Sequence, residues 1–415
     1  MKVVFVDIVR KLKFGWDGFW FDLKSFLLNA SRYHYRDLMM IGAGFLPAKY
    51  VQLWKFGCML LYRSLGYYQL AMAIAKTGFG ILDGAGLLDI LASSLVSFFM
   101  LAVQFKVFMH EHYREGMRKI QNFFDGHYGN SGDYDFDVRM RQKANGITKR
   151  TFLAMLLLIY CDQLLIWIPN SAQARMFGIP ERFSVLGFQM SRILQGMYLC
   201  SLVSFWGSRY FCCSSMTLPL LLDVQTELAI VAHGFEMLRA NALNSCESHE
   251  MRWKYLEYML KTTVKQHLRV LRHVDLMLPV VNNVYATVYY SNMGMVALAV
   301  FLAIRSGMTF MSFCLIITAV GFMIECYSWC FLIGLIQETM LQISSLTAQL
   351  AYLPQHSAEH HSQYVQWRTS LMIIQLNASQ IDWFQCGHLF YISTESFGEL
   401  CMIVYRFATF LLKFA

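Results

Sequence analysis

Apolar segments long enough to cross a bilayer recur along this 415-residue chain, and charged segments separate them. A membrane-spanning helix needs about 20 mostly apolar residues, because the hydrocarbon core of a bilayer is about 30 Å thick. Here 56% of the residues are hydrophobic and 15% are charged, whereas a soluble domain carries about 25% charge. The sequence therefore predicts an all-α membrane protein.

The apolar segments predict seven transmembrane helices. The clearest is residues 151–168 (TFLAMLLLIYCDQLLIWI), and the other six are residues 54–75, 81–108, 183–222, 280–304, 308–336 and 397–412. Residues 223–273 place apolar residues three and four apart with charges between them, which is typical of packed amphipathic helices outside the membrane. The chain is therefore expected to contain an interfacial or cytoplasmic N-terminal segment (1–50), transmembrane helices 1–4 (51–222), a cytoplasmic helical segment (223–279), transmembrane helices 5 and 6 (280–336), a second cytoplasmic segment (337–384) and a terminal helix (385–415).

The distribution of basic residues predicts the orientation in the membrane. Lys and Arg are concentrated in residues 1–50, 106–150 and 223–273, and the connections on the other side hold only Lys76, Arg175, Arg182 and Arg305. Basic loops stay on the cytoplasmic side of a membrane. The N-terminus is therefore predicted to be cytoplasmic and the C-terminus extracellular, which is opposite to a G-protein-coupled receptor. The net charge of +8 follows this topology and indicates no nucleic-acid partner.

The last apolar segment, residues 397–412, contains ionisable side chains at membrane depth. Glu399 and Arg406 interrupt an otherwise apolar run, and small residues recur along it. Ionisable residues inside a membrane usually face protein or water and avoid lipid. The residues alone leave two interpretations open, since this helix could pack between other helices or line a water-filled path.

Sequence motifs of enzymes are missing from this chain. It has no hydrolase, kinase, phosphate-binding or dinucleotide-binding pattern and no Cys/His zinc spacing, so no enzymatic activity, cofactor or metal is expected. Asp83, Asp89 and Asp162 lie in or near predicted spans and could bind the coupling ion of a secondary transporter. No two segments look like halves of an internal repeat, which weakens the transporter alternative.

Aromatic, apolar and small polar residues share the outer halves of several predicted spans. A pocket between helices with an apolar lining and a few polar groups suits a small hydrophobic ligand. The alternative is that these residues only pack the helices together. The candidate ligand-binding residues are Ile90, Leu91, Ser94, Tyr160, Leu164, Trp167, Phe188, Gln195, Phe310 and Phe313.

Short motifs along the chain resemble those of the insect chemoreceptor superfamily. Residues 405–411 (YRFATFL) are similar to the family's terminal YSYFTLL pattern, and residues 387–397 (GHLFYISTESF) are similar to its G-x-F-x-x-S-x-x-x-F run. Residues 42–47 lie where the family has G-x-W-P before its first span. The intracellular D…L…H…L and H-x-x-I-L motifs are matched by Asp223, Leu228, His233, Leu238, His267, Val270 and Leu271. The order and spacing of these motifs favour the odorant receptors over the gustatory receptors, whose TYxxxxxQF signature is absent.

The resemblance implies a subunit of an odorant-gated, nonselective cation channel. In that family the receptor forms a heterotetramer with a co-receptor, and the cytoplasmic ends of the later helices form an anchor region between subunits. The ligand is a small volatile odorant that binds in the outer half of each subunit. The chain lacks the longer intracellular insertion of the co-receptor, so it resembles a ligand-tuning subunit. A gustatory-type receptor of the same superfamily remains the alternative.

The resemblance also implies a pore and a location. The terminal helix of each subunit lines one central pore for cations, and the protein lies in the lipid bilayer of the plasma membrane of a sensory-neuron dendrite. Carried onto this sequence, the pore residues are Tyr405, Ala408, Thr409 and Leu412. Ala408 and Leu412 are four residues apart and share one helix face. The sequence departs from the family pattern at Arg406, where a small polar residue is usual, and at Ala408, where valine is frequent.

Overall fold

The computed structural model describes residues 53–126, 129–167, 176–177, 192–243, 249–307, 309–353, 361–379 and 384–414. The predicted N-terminal segment, residues 1–50, lies outside them. Within the described residues the chain forms nine α-helices and one short β-hairpin. The elements are α1 (Leu53–Leu82), α2 (Leu87–His112), α3 (Arg114–Gly126), α4 (Tyr134–Trp167), α5 (Arg192–Leu243), α6 (His249–Arg305), α7 (Phe310–Leu350), α8 (His361–Ser379), β1 (Gln385–Cys386), β2 (Phe390–Tyr391) and α9 (Thr394–Phe414).

Four described helices are long and apolar enough to cross a membrane, namely α2, α5 over Phe205–Leu243, α6 over Trp253–Arg305, and α7. They contain the predicted fifth span, most of the second and sixth spans, and residues 205–222 of the fourth. The remaining predicted spans lie in α1, α4 and α9, except residue 168, which lies outside the described residues. The terminal helix α9 includes four charged side chains in 21 residues, which lowers its apolarity. A multi-pass helical membrane protein is therefore confirmed, and the number of seven spans stays a prediction.

Three helices continue well beyond the thickness of a bilayer. The 52 residues of α5 and the 57 residues of α6 correspond to lengths of about 78 Å and 85 Å. The predicted divisions at 222/223, 279/280 and 336/337 fall inside α5, α6 and α7. Pro219 and Pro279 lie within α5 and α6 and do not end them. No helix ends at any of the three divisions, and the change from membrane to cytoplasm at each of them stays a prediction.

The core of the bundle lies between α5, α6 and α7. These three helices contact one another along their lengths, with α2 against α6, α4 against α5 and α8 against α7. Large side chains are fully buried where the helices meet, including Trp206, Tyr285, Phe301 and Trp329. Exposed leucine, isoleucine and phenylalanine side chains cover much of the outer surface of α2 and α7. Such an apolar outer surface suits a protein whose outer face contacts the hydrocarbon of a bilayer.

Polar contacts join the start of α4 to the extension of α5. Arg141 on α4 binds Glu227 on α5 through a 2.8 Å ion pair, and the same guanidinium donates to the Gly129 carbonyl oxygen at 2.8 Å. Asp133 caps α4 by accepting from the Phe136 backbone N–H at 3.0 Å, and this hydrogen bond lowers the pKa of Asp133. These contacts fix the start of α4 against α5.

A β-hairpin leads into the terminal helix α9. Gly387 and His388 both have positive φ, at 55° and 63°, and Leu389 N–H donates to the Cys386 carbonyl at 3.0 Å. Positive φ at both central residues of the turn from Cys386 to Leu389 meets the requirement of a type I′ turn, and three residues lie between the paired Cys386 and Phe390. Asn282 on α6 holds this hairpin, because its side-chain oxygen accepts from Gln385 N–H at 2.9 Å. The entry to α9 is therefore fixed against α6.

Candidate functional site

An apolar cavity lies between α2, α5, α6 and α7, near the α1–α2 and α6–α7 turns. We call it the pocket cavity, and its volume is about 120 Å³. Met176 and Phe177, from the connection between α4 and α5, and Leu158 of α4 close one side. The bundle helices contribute Leu95, Val96, Phe99, Leu202, Trp206, Gly207, Tyr210, Phe211, Met295, Ala299, Met311, Cys314, Leu315, Thr318 and Phe322. Aromatic rings and sulfur atoms therefore form most of its wall.

The polar groups in the wall of the pocket cavity already have hydrogen-bond partners. Trp206 Nε1 donates to Gln69 Oε1 of α1 at 2.9 Å, and Thr318 Oγ1 donates to the Cys314 carbonyl oxygen at 2.9 Å. The hydroxyl of Tyr210 points away from the cavity toward Glu325 and Asn292. A ligand in this cavity would therefore be held by apolar contact and shape, with few hydrogen bonds.

Three aromatic rings form the floor of the pocket cavity. Tyr210 lies 5.7 Å from Phe99 and 5.2 Å from Phe322 between ring centroids, and Phe99 lies 5.9 Å from Phe322. The Tyr210–Phe322 pair is T-shaped, an arrangement that aromatic quadrupoles favour. The three rings come from α2, α5 and α7, so a change in the cavity reaches three helices at once.

A buried charged network lies directly beneath this floor, and we call it the Glu325 network. It consists of Lys106 on α2, Tyr210 and Ser214 on α5, Asn292 on α6, and Glu325 on α7. Lys106 Nζ lies 2.5 Å from Glu325 Oε1, and both side chains are 2% exposed. The Ser214 hydroxyl contacts both charged groups. Lys106 Nζ also lies 3.7 Å from the centroid of the Tyr210 ring.

Each oxygen of the Glu325 carboxylate accepts two hydrogen bonds. Oε1 accepts from Lys106 and Ser214, and Oε2 accepts from the Tyr210 hydroxyl and from Asn292 Nδ2 at 3.3 Å. A charge in a low-dielectric interior is tolerated when it is paired and its hydrogen bonds are satisfied. The network therefore joins one helix from each side of the pocket cavity in a single arrangement.

The helix that carries Glu325 also contacts the terminal helix one turn further on. The Tyr327 ring packs edge-on against Phe397 of α9 at 5.4 Å between centroids. Cys330 Sγ lies 4.0 Å from Ser396 Oγ and 3.0 Å from the Tyr285 hydroxyl. A continuous set of packed side chains thus leads from the pocket cavity to the first turn of α9.

Seven of the ten predicted ligand-binding residues have described side chains, and none of these seven lines the pocket cavity. Ile90, Leu91 and Ser94 precede the lining residues of α2 by one turn and are half-buried. Phe310 and Phe313 lie next to lining residues on α7, and Tyr160 and Leu164 lie on α4. The side chains of all four residues are exposed. Phe188 and the side chains of Trp167 and Gln195 lie outside the described residues. The prediction of a ligand role for these ten residues thus stays untested.

Sequence reasoning did not single out the Glu325 network, although a signal was present. Glu325 is the only charged residue in residues 308–336, and Lys106 stands near the end of the apolar segment 81–108. An isolated ionisable residue in an apolar segment is a signal of function, usually with a partner. The partner could not be identified, because 219 positions separate the two residues.

The four predicted pore residues differ in exposure along α9. Tyr405 is 70% exposed, Ala408 is 5% exposed, and Thr409 and Leu412 are half-buried. Thr409 Oγ1 donates back to the Tyr405 carbonyl oxygen at 2.9 Å. In the single chain, Ala408 therefore packs against the subunit's own body while Tyr405 projects outward. The assignment of these residues to a pore stays a prediction.

The fold and the pocket cavity together indicate what kind of molecule could bind here. An apolar cavity between the helices of a multi-pass bundle suits a small hydrophobic ligand. The sequence matches no protein-family model and no curated protein, so a more specific comparison depends on structure.

Solved structures of an insect olfactory receptor have the same fold. The chain is similar to OR5 from Machilis hrabei in complex with eugenol, with a TM-score of 0.72 and 11% sequence identity over 92% of this chain and 98% of that chain. It is also similar to a second solved structure of OR5 from Machilis hrabei, with a TM-score of 0.70 and 10% sequence identity over 92% of this chain and 97% of that chain. The resemblance to the insect chemoreceptor superfamily is therefore confirmed at the level of the fold.

Proposed function

We propose that this chain is an odorant receptor subunit of a ligand-gated, nonselective cation channel. The observation that supports this most strongly is the shared fold with an insect olfactory receptor over 92% of the chain. The apolar pocket cavity supports the same proposal, because OR5 is described in complex with the small molecule eugenol. The order of the sequence motifs adds a third and independent argument.

The ligand of the pocket cavity would be a small volatile molecule with an apolar body. A cavity of about 150 Å³ lined by aliphatic and aromatic side chains can bind benzene, and the pocket cavity has about 120 Å³. Single-ring volatiles therefore fit best without rearrangement of the wall. The ten residues named from the sequence would contact the ligand as it binds or enters.

The proposed topology has seven spans, with a cytoplasmic N-terminus and an extracellular C-terminus. The pocket cavity then lies in the outer half of the membrane, because its lining residues on α2 and α7 are near the α1–α2 and α6–α7 turns. The extensions of α5, α6 and α7, with α8, would form the cytoplasmic anchor region. The channel would be a heterotetramer with a co-receptor in the plasma membrane of a sensory-neuron dendrite.

Gating in this proposal takes place at the terminal helix. Tyr405, Ala408, Thr409 and Leu412 of each subunit would border one central pore for cations. A ring of apolar side chains can close a pore by excluding water. Ligand binding opens the pore only if the ligand has a higher affinity for the open state than for the closed state.

Whole-cell recording tests the proposed function. Cells expressing this chain, with and without a co-receptor, are exposed to a panel of single-ring volatiles that includes benzene and eugenol. The expected result is a rapid inward cation current that persists when G-protein signalling is blocked.

Surface labelling of the chain is the control for this recording. A current that disappears when G-protein signalling is blocked would contradict the channel. Stoichiometric solute uptake without channel-like current would also contradict it. Absence of current both with and without the co-receptor, from protein that reaches the cell surface, would contradict a channel opened by this class of ligand.

A further inference from the structure

We propose that Glu325 is a positioning residue that transmits occupancy of the pocket cavity to the terminal helix α9. This inference rests on the proposed function. It starts from the position of Tyr210, whose ring forms part of the cavity floor while its hydroxyl binds the Glu325 network on the other side. A single side chain therefore contacts both the ligand site and a buried ion pair.

The Tyr210 hydroxyl has two alternative acceptors. It donates to Glu325 Oε2, and it also lies 2.7 Å from Asn292 Oδ1. A phenol has one proton, so movement of the ring shifts this proton between the two acceptors. A ligand that presses on the cavity floor thus weakens one hydrogen bond of the Glu325 carboxylate and strengthens the bond to α6.

The consequences of that shift are large because the carboxylate is fully desolvated. Water cannot replace a lost hydrogen bond at a side chain that is 2% exposed, so the carboxylate must adjust its remaining contacts to Lys106, Ser214 and Asn292. Asn292 also donates to the Phe322 carbonyl oxygen at 3.2 Å. The adjustment therefore moves α7 relative to α6.

Movement of α7 at Glu325 reaches α9 through the next turn of the same helix. Tyr327 packs against Phe397, and Cys330 lies near Ser396. Both contacts are at the first turn of α9, which begins at Thr394. The Glu325 network thus lies on α7 between the residues of the cavity floor and the residues that contact the first turn of α9.

Paired substitution separates this role from a purely structural one. Loss of one member of a buried ion pair leaves an unpaired charge and destabilises the fold, whereas replacement of both by apolar residues of similar size is often tolerated. The double variant Lys106→Met with Glu325→Met should therefore reach the surface. Neither residue lines the pocket cavity, so the double variant should still bind ligand.

Hydrogen exchange measured by mass spectrometry on the full-length chain in lipid nanodiscs is the test, with benzene as the probe. In the wild type, benzene should slow exchange in residues 202–211 of α5 and change the exchange rate of residues 394–400 by about fivefold or more, the lower end of a usual coupling. In the double variant the first effect should persist and the second should be lost.

Two tyrosine variants complete the experiment. Tyr210→Phe keeps the ring and removes the hydroxyl, and it should lose the response of residues 394–400. Tyr113→Phe is the matched control, because its hydroxyl accepts from Asn283 Nδ2 at 2.6 Å away from the cavity, and it should keep the response.

The outcomes distinguish the two proposals. A response of α9 in the double variant equal to that of the wild type would overturn the role of Glu325 and leave the pocket cavity as a binding site. Protection of α5 without any response of α9 in the wild type would also overturn it. If benzene protects no part of α5 in the wild type, the binding site proposed under the odorant receptor function is wrong, and the coupling fails with it.

Discussion

The pocket cavity and the Glu325 network are built by the same four helices, yet they obey opposite physical rules. The cavity has an apolar wall whose few polar groups are already hydrogen-bonded. The network, one layer deeper, brings a lysine, a glutamate and three polar side chains together with almost no exposure to solvent. Apolar contacts lack direction and tolerate different occupants, whereas a buried ion pair is stable only while its charges are paired and its hydrogen bonds are made.

This difference indicates which region should determine ligand selectivity and which should determine the stability of the bundle. Substitution in the wall of the cavity changes its volume and shape by small steps. Substitution in the network leaves a charge without a partner, and the cost is then large. Selectivity for ligands is therefore expected to reside in the cavity, and stability of the bundle in the network.

The largest effect is expected from loss of one network charge. Lys106→Met leaves the Glu325 carboxylate buried without its cation and should reduce the free energy of unfolding by about 3–5 kcal/mol. The thermal midpoint of detergent-solubilised protein, followed by size-exclusion chromatography, measures this change. Arg63→Met is the matched control, because the Arg63–Glu111 pair is 33% and 47% exposed and exposed pairs contribute little. Equal thermal midpoints for the two variants would show that the buried pair contributes no more to stability than the exposed pair.

A larger side chain in the wall of the cavity should reduce sensitivity to the ligand, and it should reduce stability less than Lys106→Met does. Ala299→Leu projects new methyl groups into the cavity, and the ligand concentration for half-maximal current should rise about tenfold, equal to about 1.4 kcal/mol. Ala303→Leu is the control, since Ala303 is also buried on α6 but does not line the cavity. A similar rise for both variants would place the ligand elsewhere.

The terminal helix offers a test of the proposed gate. Leu412→Ser makes an apolar ring polar, and basal current should increase several-fold because water then enters the constriction more readily. Leu411→Ser is the neighbouring control, since both side chains pack against the core but point in different directions around the helix. Basal and evoked currents unchanged from the wild type, with normal surface expression, would remove Leu412 from the gate.

The smallest effect is expected at the entry to α9, outside both regions. The Ser393 hydroxyl accepts from the Ser396 backbone N–H at 3.2 Å, and Ser396 Oγ accepts from the Ser393 backbone N–H at 3.0 Å. Ser393→Ala should reduce the free energy of unfolding by about 1 kcal/mol, the usual value of such a cap. Thermal midpoints of Ser393→Ala and Ser393→Asp provide the comparison, because aspartate can also cap. A lower midpoint for the aspartate variant than for the alanine variant would contradict this role.

The sequence by itself determined the class of fold, since the length and spacing of apolar segments leave few alternatives for a chain in a membrane. It also predicted helix over residues 151–167, which lie within α4, and over residues 397–412, which lie within α9, but it did not predict the hairpin before α9. These features depend on local composition and on neighbouring residues, which a sequence displays directly.

The tertiary structure alone decided the site. Whether residue 94 or residue 95 faces a cavity depends on the rotation of α2 about its axis, which packing against α5, α6 and α7 fixes and hydropathy does not reveal. The pairing of Lys106 with Glu325 joins two segments far apart in the chain, and no local pattern encodes it. The cavity and the network exist only where four helices meet, so their residues could be recognised only after those helices were packed.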